Sequence, residues 1–61
     1  MKVSEMVKLL KGIGCYKKRE GDNHEIWYSP ITCKLFQVPR HYAKELPTGT
    51  EHKIKRDSGL I

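Results

Sequence analysis

The N-terminal segment carries a hydrophobic stripe of helical period. Four apolar residues recur at steps of three and four, namely Val3, Met6, Val7 and Leu10. Such spacing places all of them on one face of a helix. Glycines at positions 12 and 14 interrupt the pattern, and Ser4 is suited to an N-cap, so the pattern predicts a helix over residues 4–11.

Three short segments rich in aromatic and β-branched residues follow, and turn-forming residues separate them. They predict strands over residues 15–20, 24–29 and 33–38. Gly21-Asp22-Asn23 is a turn signal, and Pro39 ends the third strand because proline cannot donate to a β-ladder. Since the connections are short, we expect an antiparallel meander.

The C-terminal segment predicts a second helix. Thr48 and Glu51 have the spacing of a capping box, and Gly59 is suited to the C-terminal stop. Tyr42–Leu46 predicts one helical turn before it. The result is an α+β fold of one small domain over residues 1–61, with the order α-β-β-β-α. Both helices are expected to cover one face of a three-stranded antiparallel sheet, which leaves the other face open.

Alternation along the second and third strands indicates which residues face the helices. We favour Ile26, Phe36 and Val38 as core, which leaves Trp27 and Leu35 on the open face. An exposed apolar pair there is typical of a protein interface. The opposite parity is the alternative.

Charge and composition narrow the class of partner. Twelve Lys and Arg residues oppose seven Asp and Glu residues, which gives a net charge of +5. This balance favours a polyanionic partner such as RNA, DNA or an acidic protein, although it also serves solubility. Sixty-one residues exclude a multi-cofactor enzyme but leave room for a minimal nuclease or a binding module.

The sequence shows no signal for export or for a membrane. No stretch approaches the roughly 18 apolar residues of a transmembrane helix, and the N-terminus lacks the apolar centre of a signal peptide. Cys15 and Cys33 lie far apart without a CxxC pair, so we expect reduced thiols in a cytoplasmic protein. The scattered His and Cys residues predict no metal site, and no cofactor is expected.

The most informative segment for chemistry surrounds the first turn. Three consecutive cations lead into it, namely Lys17, Lys18 and Arg19. His24 opens the next strand, so antiparallel pairing is expected to bring the cations close to the imidazole. RNA cleavage through the 2′-hydroxyl needs a base that works near neutral pH and cations that stabilise charge on phosphate oxygens. The segment therefore predicts His24 as a catalytic residue and these three cations as RNA-binding residues.

Each of these residues also has an ordinary structural interpretation. A lone histidine beside lysines is usually a surface residue, and a basic run is often the solvated end of a strand. His41 is interpreted first as a structural residue and second as a further acid or base. His52 fits an exposed helix position.

Several motifs spread over nearly the whole chain have a further implication. They are a short lysine-rich first helix, Gly-x-x-His-Glu-Ile-Trp over residues 21–27, Val-Pro-Arg-His over residues 38–41 and a helix start at Gly49-Thr50. Together they resemble the HicA family. The resemblance implies a fold like that of double-stranded-RNA-binding domains and a type II toxin that cleaves mRNA with one histidine, at the position of His24. It also implies neutralisation by a HicB-type antitoxin.

One motif departs from the family pattern. HicA members commonly read Gly-Ser-His, whereas Asp22 and Asn23 stand between Gly21 and His24 here. A serine hydroxyl beside the histidine is therefore missing. Asn23 is a candidate replacement, and Asp22 adds negative charge where a phosphate is expected. The alternative function is a non-catalytic RNA-binding module of the double-stranded-RNA-binding type, which needs the basic surface but no histidine.

Overall fold

Two helices and three strands follow one another in the predicted order in the computed structural model, which describes residues 1–61. They are α1 (Val3–Gly12), β1 (Tyr16–Glu20), β2 (His24–Ser29), β3 (Lys34–Pro39) and α2 (Thr48–Ser58). The strands form one antiparallel sheet in the order β1-β2-β3. The α+β architecture is therefore confirmed, and no strand boundary differs from its prediction by more than one residue.

Both helices and the sheet contribute to one hydrophobic core. The apolar stripe of α1 is buried, as its spacing predicted, and α2 packs chiefly against β3. The buried apolar residues are Val3, Met6, Val7, Leu10, Cys15, Trp27, Phe36, Val38, Leu46 and Ile54. Since this core lies on one side of the sheet, the other face is open to solvent.

The start of α1 differs from the prediction. Its N-cap is Lys2 rather than Ser4, and the Lys2 backbone N–H donates to the Glu5 carboxylate at 2.7 Å. Residues 42–46 form an irregular segment, not the predicted helical turn. Two carbonyls of this segment accept the first two N–H groups of α1, at 2.9 and 3.0 Å. The segment thus satisfies two amides that a helix start leaves without partners.

The ends of α2 fit the prediction in part. Pro47 is the N-cap, so the capping box predicted for Thr48 and Glu51 does not form. Glu51 instead forms an ion pair within the helix. Gly59 ends the helix as predicted, with φ of +91°. A Cβ at this position would lie 2.8 Å from Ile31 Cγ2, so both the backbone conformation and the packing favour glycine.

The parity of β2 is the opposite of the one we favoured. Trp27 is the register partner of Phe36, and both are buried on the helix-facing side. Ile26, which was predicted as core, lies on the open face and is only half-buried. Phe36 and Val38 are core residues and Leu35 is exposed, as predicted. An open-face pair of Trp27 and Leu35 therefore does not exist.

The buried carboxylate of Glu25 explains this parity. Trp27 Nε1–H donates to Glu25 Oε1 at 2.9 Å, and the Tyr42 hydroxyl donates to the same oxygen at 2.8 Å. Glu25 is only 6% exposed, and without donors its burial would be costly. With the indole N–H satisfied, Trp27 adds its large apolar surface to the core. His24 and Ile26 consequently lie on the open face.

Tyr42→Phe tests the contribution of this network. The variant removes one donor from a buried carboxylate, but Tyr42 is partly exposed and solvent moderates the loss. We expect the free energy of unfolding to fall by about 1 kcal/mol and Tm by about 4–8 °C, measured by thermal unfolding with circular dichroism. Tyr16→Phe is the matched control, because Tyr16 is exposed and lies outside the network.

The same variant has a defined pH dependence. Burial, together with the hydrogen bond to Glu25, raises the pKa of Tyr42 from 10.0 to about 12. A tyrosine whose folded-state pKa exceeds its unfolded value stabilises the fold fully below pH 10 and loses that contribution as the pH rises through about 12. The stability difference between the wild type and Tyr42→Phe should therefore narrow over this range. A constant difference would contradict the assignment.

Candidate active site

The open face of the sheet presents the histidine that the sequence predicted as catalytic. His24 is the first residue of β2 and pairs with Pro39 of β3. Its side chain is half-buried, and no hydrogen bond within the chain engages its imidazole, whereas its backbone carbonyl accepts from Gly21 and Arg40. The ring is therefore not locked into the core, and its nitrogens are available to a ligand.

A tight turn holds the backbone of His24. The Gly21 N–H donates to the His24 carbonyl at 2.7 Å, which closes the hairpin between β1 and β2. A Cβ at Gly21 would lie 2.7 Å from the same carbonyl oxygen. The close approach of the two backbones thus requires glycine, which gives the first residue of the motif a structural role.

Arg40, which directly follows β3, stabilises this turn through hydrogen bonds. Its guanidinium donates to the carbonyls of Gly21, Asp22 and His24. The bonds to Asp22 and His24 measure 3.2 and 3.4 Å, and an ion pair with Glu20 measures 3.2 Å. A planar guanidinium can serve several acceptors at once, which the ammonium of lysine cannot do in the same geometry. Arg40 is therefore a positioning residue for the backbone that carries His24.

A groove of about 480 Å³ opens beside His24, between β3 and α2. Its lining includes His24, Gln37 and Pro39 from the sheet and Thr50, Lys53 and Asp57 from α2. The Lys53 ammonium lies 3.0 Å from Asp57 Oδ2 and supplies a cation to the groove. The volume falls in the range of small-molecule sites, and the polar lining suits a ligand with hydrogen-bonding groups.

Sequence reasoning missed Lys53. The residue lies in the second helix, far along the chain from His24, and its pairing with Asp57 one turn on is typical of a solvated helix face. Nothing in the local sequence indicates that this face borders β3. Only the packing of α2 against β3 brings the lysine to the same groove as the histidine.

A β-bulge divides the three predicted cations between the two faces of the sheet. Lys17 pairs with Trp27, whereas Arg19 pairs with Ile26, so the register shifts at Lys18. An extra residue in one strand reverses the alternation beyond it. Lys17 therefore shares the helix-facing side with Trp27, and Arg19 shares the open face with Ile26.

Lys18 and Arg19 are the two cations that the bulge brings to the face of His24. Lys18 Nζ lies 5.5 Å from the ring centroid of Tyr28, which belongs to the open face. Both cations are exposed. Lys18 and Arg19 thus share a face of the sheet with His24, next to Tyr28 and Ile26 respectively, and their role in RNA binding stays a prediction.

Lys17 is engaged by carboxylates on the other side. Its ammonium forms an ion pair with Glu20 and lies 3.9 Å from Glu25 Oε2. The hydrogen bond to Glu20 raises the pKa of Lys17, and the same bond lowers the pKa of Glu20. The structure does not bring Lys17 to the face of His24.

The two residues between Gly21 and His24 are exposed. The Asp22 carbonyl accepts from Arg40, but no side-chain hydrogen bond joins Asp22 or Asn23 to the imidazole. Asn23 therefore does not replace the serine hydroxyl in this structure.

The remaining histidines and cysteines lie outside the groove. His41 and His52 are exposed, and Cys15 and Cys33 are free thiols, the first buried and the second exposed. No group of three or more His, Cys, Asp and Glu side chains is arranged to hold a metal ion.

Comparison with known families agrees with the motifs. A family model described as the HicA toxin of bacterial toxin–antitoxin matches residues 3–60. The chain belongs to the HicA family. No curated protein and no solved structure matches it. Membership makes this chain the toxin of a toxin–antitoxin pair and implies an antitoxin partner. Neither helix of this HicA toxin has the length and apolar character needed to span a bilayer.

Arg40→Ala tests the positioning of the turn. Without the guanidinium, three carbonyls and Glu20 lose a shared donor, so the hairpin closure should open more often. We expect the Gly21 amide to exchange with solvent about tenfold faster, which corresponds to about 1.4 kcal/mol of local opening free energy. Hydrogen exchange followed by NMR measures this. Arg56→Ala, an exposed arginine on α2, is the control, and unchanged Gly21 protection in Arg40→Ala would refute the role.

Proposed function

We propose that this HicA toxin is a metal-independent endoribonuclease that cleaves mRNA with His24 as its catalytic residue. The observation that supports this most directly is the half-buried imidazole at the edge of a groove of about 480 Å³, on an open face that also carries cations. Histidine is the side chain whose ordinary protonation range suits a base at physiological pH.

The proposed reaction uses the RNA itself as the nucleophile. The His24 imidazole takes the proton of a ribose 2′-hydroxyl, and the 2′-oxygen attacks the adjacent phosphorus. The bond from phosphorus to the 5′-oxygen breaks, and that oxygen takes up one proton, which balances the proton removed. The products are a 2′,3′-cyclic phosphate and a 5′-hydroxyl end.

Cations are needed because negative charge grows on the phosphate oxygens during the attack. We assign this role to Lys18 and Arg19 of the open face. Lys53 also borders the groove, but its ammonium is paired with Asp57. Lys17 was predicted together with its two neighbours, but two carboxylates already engage it on the opposite face. Whether Lys17 contacts RNA phosphates is therefore tested by mutation.

The proposed partners follow from the same chemistry. The substrate is mRNA in the cytoplasm, held through its phosphates. The antitoxin is of the HicB type, and we propose that it neutralises the toxin by covering the open face and the groove.

A non-catalytic RNA-binding module is the second candidate. It is favoured by the absence of any hydrogen-bond partner for the imidazole from the Asp22-Asn23 turn. Such a module would bind RNA through the same cations and leave the RNA intact.

His24→Ala decides between the two candidates. Loss of a general base should lower the cleavage rate of purified protein by about 100- to 10,000-fold, and cleavage by the wild type should persist in excess EDTA. The assay follows a labelled RNA and identifies the 2′,3′-cyclic phosphate by mass spectrometry. His41→Ala and His52→Ala are matched controls that should cleave normally. Unaltered cleavage by a folded His24→Ala protein would remove the catalytic assignment.

A second experiment separates the cations. Each phosphate contact adds about 0.7 to the salt slope of single-stranded RNA binding, so Lys18→Ala and Arg19→Ala should each lower that slope by about this amount. Lys17→Ala should leave the slope unchanged, because its ammonium pairs with carboxylates. The salt slopes are measured by fluorescence anisotropy at salt concentrations from about 50 to about 200 mM. An equal loss in all three variants would restore Lys17 as a contact.

A further inference from the structure

The open face carries an aromatic pair that the proposed chemistry does not use. Tyr16 of β1 and Tyr28 of β2 are register partners, with ring centroids 5.6 Å apart and a 50° tilt. Leu35 of β3 is the register partner of Tyr28 on its other side. Tyr16 is 50% exposed and Leu35 is 54% exposed, so the three strands present a continuous apolar strip to solvent.

This strip is continuous with the candidate active site. Tyr28 and His24 point to the same face of β2, four residues apart, which is about 13 Å at the usual rise of a strand. Leu35 also lines the groove beside His24. A ligand that occupies the groove and extends along β2 would therefore contact the tyrosines next.

The charge around the strip indicates the class of that ligand. Lys18 Nζ lies 5.5 Å from the Tyr28 ring centroid, and Arg19 follows on the same face. No Asp or Glu is among the open-face partners of β1, β2 and β3, because Glu20 and Glu25 pair on the helix-facing side. Flat aromatic surfaces beside cations fit a chain that alternates nucleobases with phosphates.

The geometry points to a base-stacking platform for single-stranded RNA, formed by Tyr16 and Tyr28, that holds nucleotides next to the cleaved bond. This inference rests on the proposed function and adds the substrate class. In a duplex, neighbouring base pairs cover the faces of each base, so only unpaired nucleotides can stack on protein side chains. The platform therefore selects single-stranded segments, whereas the fold class alone would suggest duplex RNA.

The test measures binding separately from cleavage. In the His24→Ala background, a labelled eight-nucleotide single-stranded RNA is titrated by fluorescence anisotropy. Stacking of one base contributes an amount that corresponds to about 5- to 150-fold in affinity, so Tyr16→Ala and Tyr28→Ala should each weaken binding by such a factor. The salt slope should not change, because no phosphate contact is lost. Tyr16→Phe should bind normally, since it keeps the ring.

Two controls exclude general effects of truncation. Leu9→Ala removes an exposed apolar side chain from α1, away from the strip, and should bind normally. The second control uses the His24→Ala protein with both tyrosines intact and an oligonucleotide that carries abasic sites. Its affinity should be as low as that of the normal oligonucleotide for the Tyr16→Ala variant. This second comparison uses an unaltered platform, so it stays informative if an alanine variant folds poorly.

The outcomes are distinct. Unchanged RNA affinity in folded Tyr16→Ala and Tyr28→Ala, or equal affinity of abasic and normal oligonucleotides, overturns the platform. A duplex RNA that competes for binding as well as the single strand also overturns the platform. A tyrosine variant that loses antitoxin binding but keeps its affinity for RNA overturns it as well. Cleavage of the oligonucleotide by His24→Ala would instead show that the proposed function has failed, independently of the tyrosines.

Discussion

The buried carboxylate of Glu25 is the constraint on which the arrangement of the sheet depends. It accepts hydrogen bonds from the Trp27 indole and the Tyr42 hydroxyl, and these two donors offset the cost of burying it on the helix-facing side. Because side chains alternate along a strand, the inward position of Glu25 and Trp27 forces His24 outward. The core and the candidate active site are thus two consequences of one choice of parity in β2.

Two local features then shape the open face. The bulge at Lys18 moves Arg19 to the side of the histidine, while Lys17 remains with the carboxylates. Arg40 connects the end of β3 to the turn before His24 and holds the backbone there through carbonyl oxygens. The His-Glu-Ile-Trp and Val-Pro-Arg-His blocks therefore meet in space. The first block supplies the His24 imidazole and the buried Glu25 carboxylate. The second supplies Arg40, which holds the turn before His24.

The sequence predicted the fold well because its signals are local. The helical spacing of the stripe that includes Met6 and Leu10 and the turn at Gly21-Asp22-Asn23 depend on neighbouring residues only. The parity of β2 was predicted wrongly because alternation fits both phases, and an isoleucine is a more usual core residue than a glutamate. One of the two donors to Glu25 comes from Tyr42, and no local pattern predicts that contact. The same limit applies to Lys53, which reaches the groove only through the packing of α2.

The sequence by itself determined the order of the elements, the basic character of the chain, the family resemblance and the histidine on which the function is proposed to depend. These properties follow from composition and from short-range spacing. The tertiary structure alone decided which face His24 occupies, which cations share that face, and that Tyr16 and Tyr28 form a strip leading to the groove. Those properties depend on register, on one extra residue in β1 and on hydrogen bonds between distant segments, and the free energy of such contacts is set only when the chain has folded.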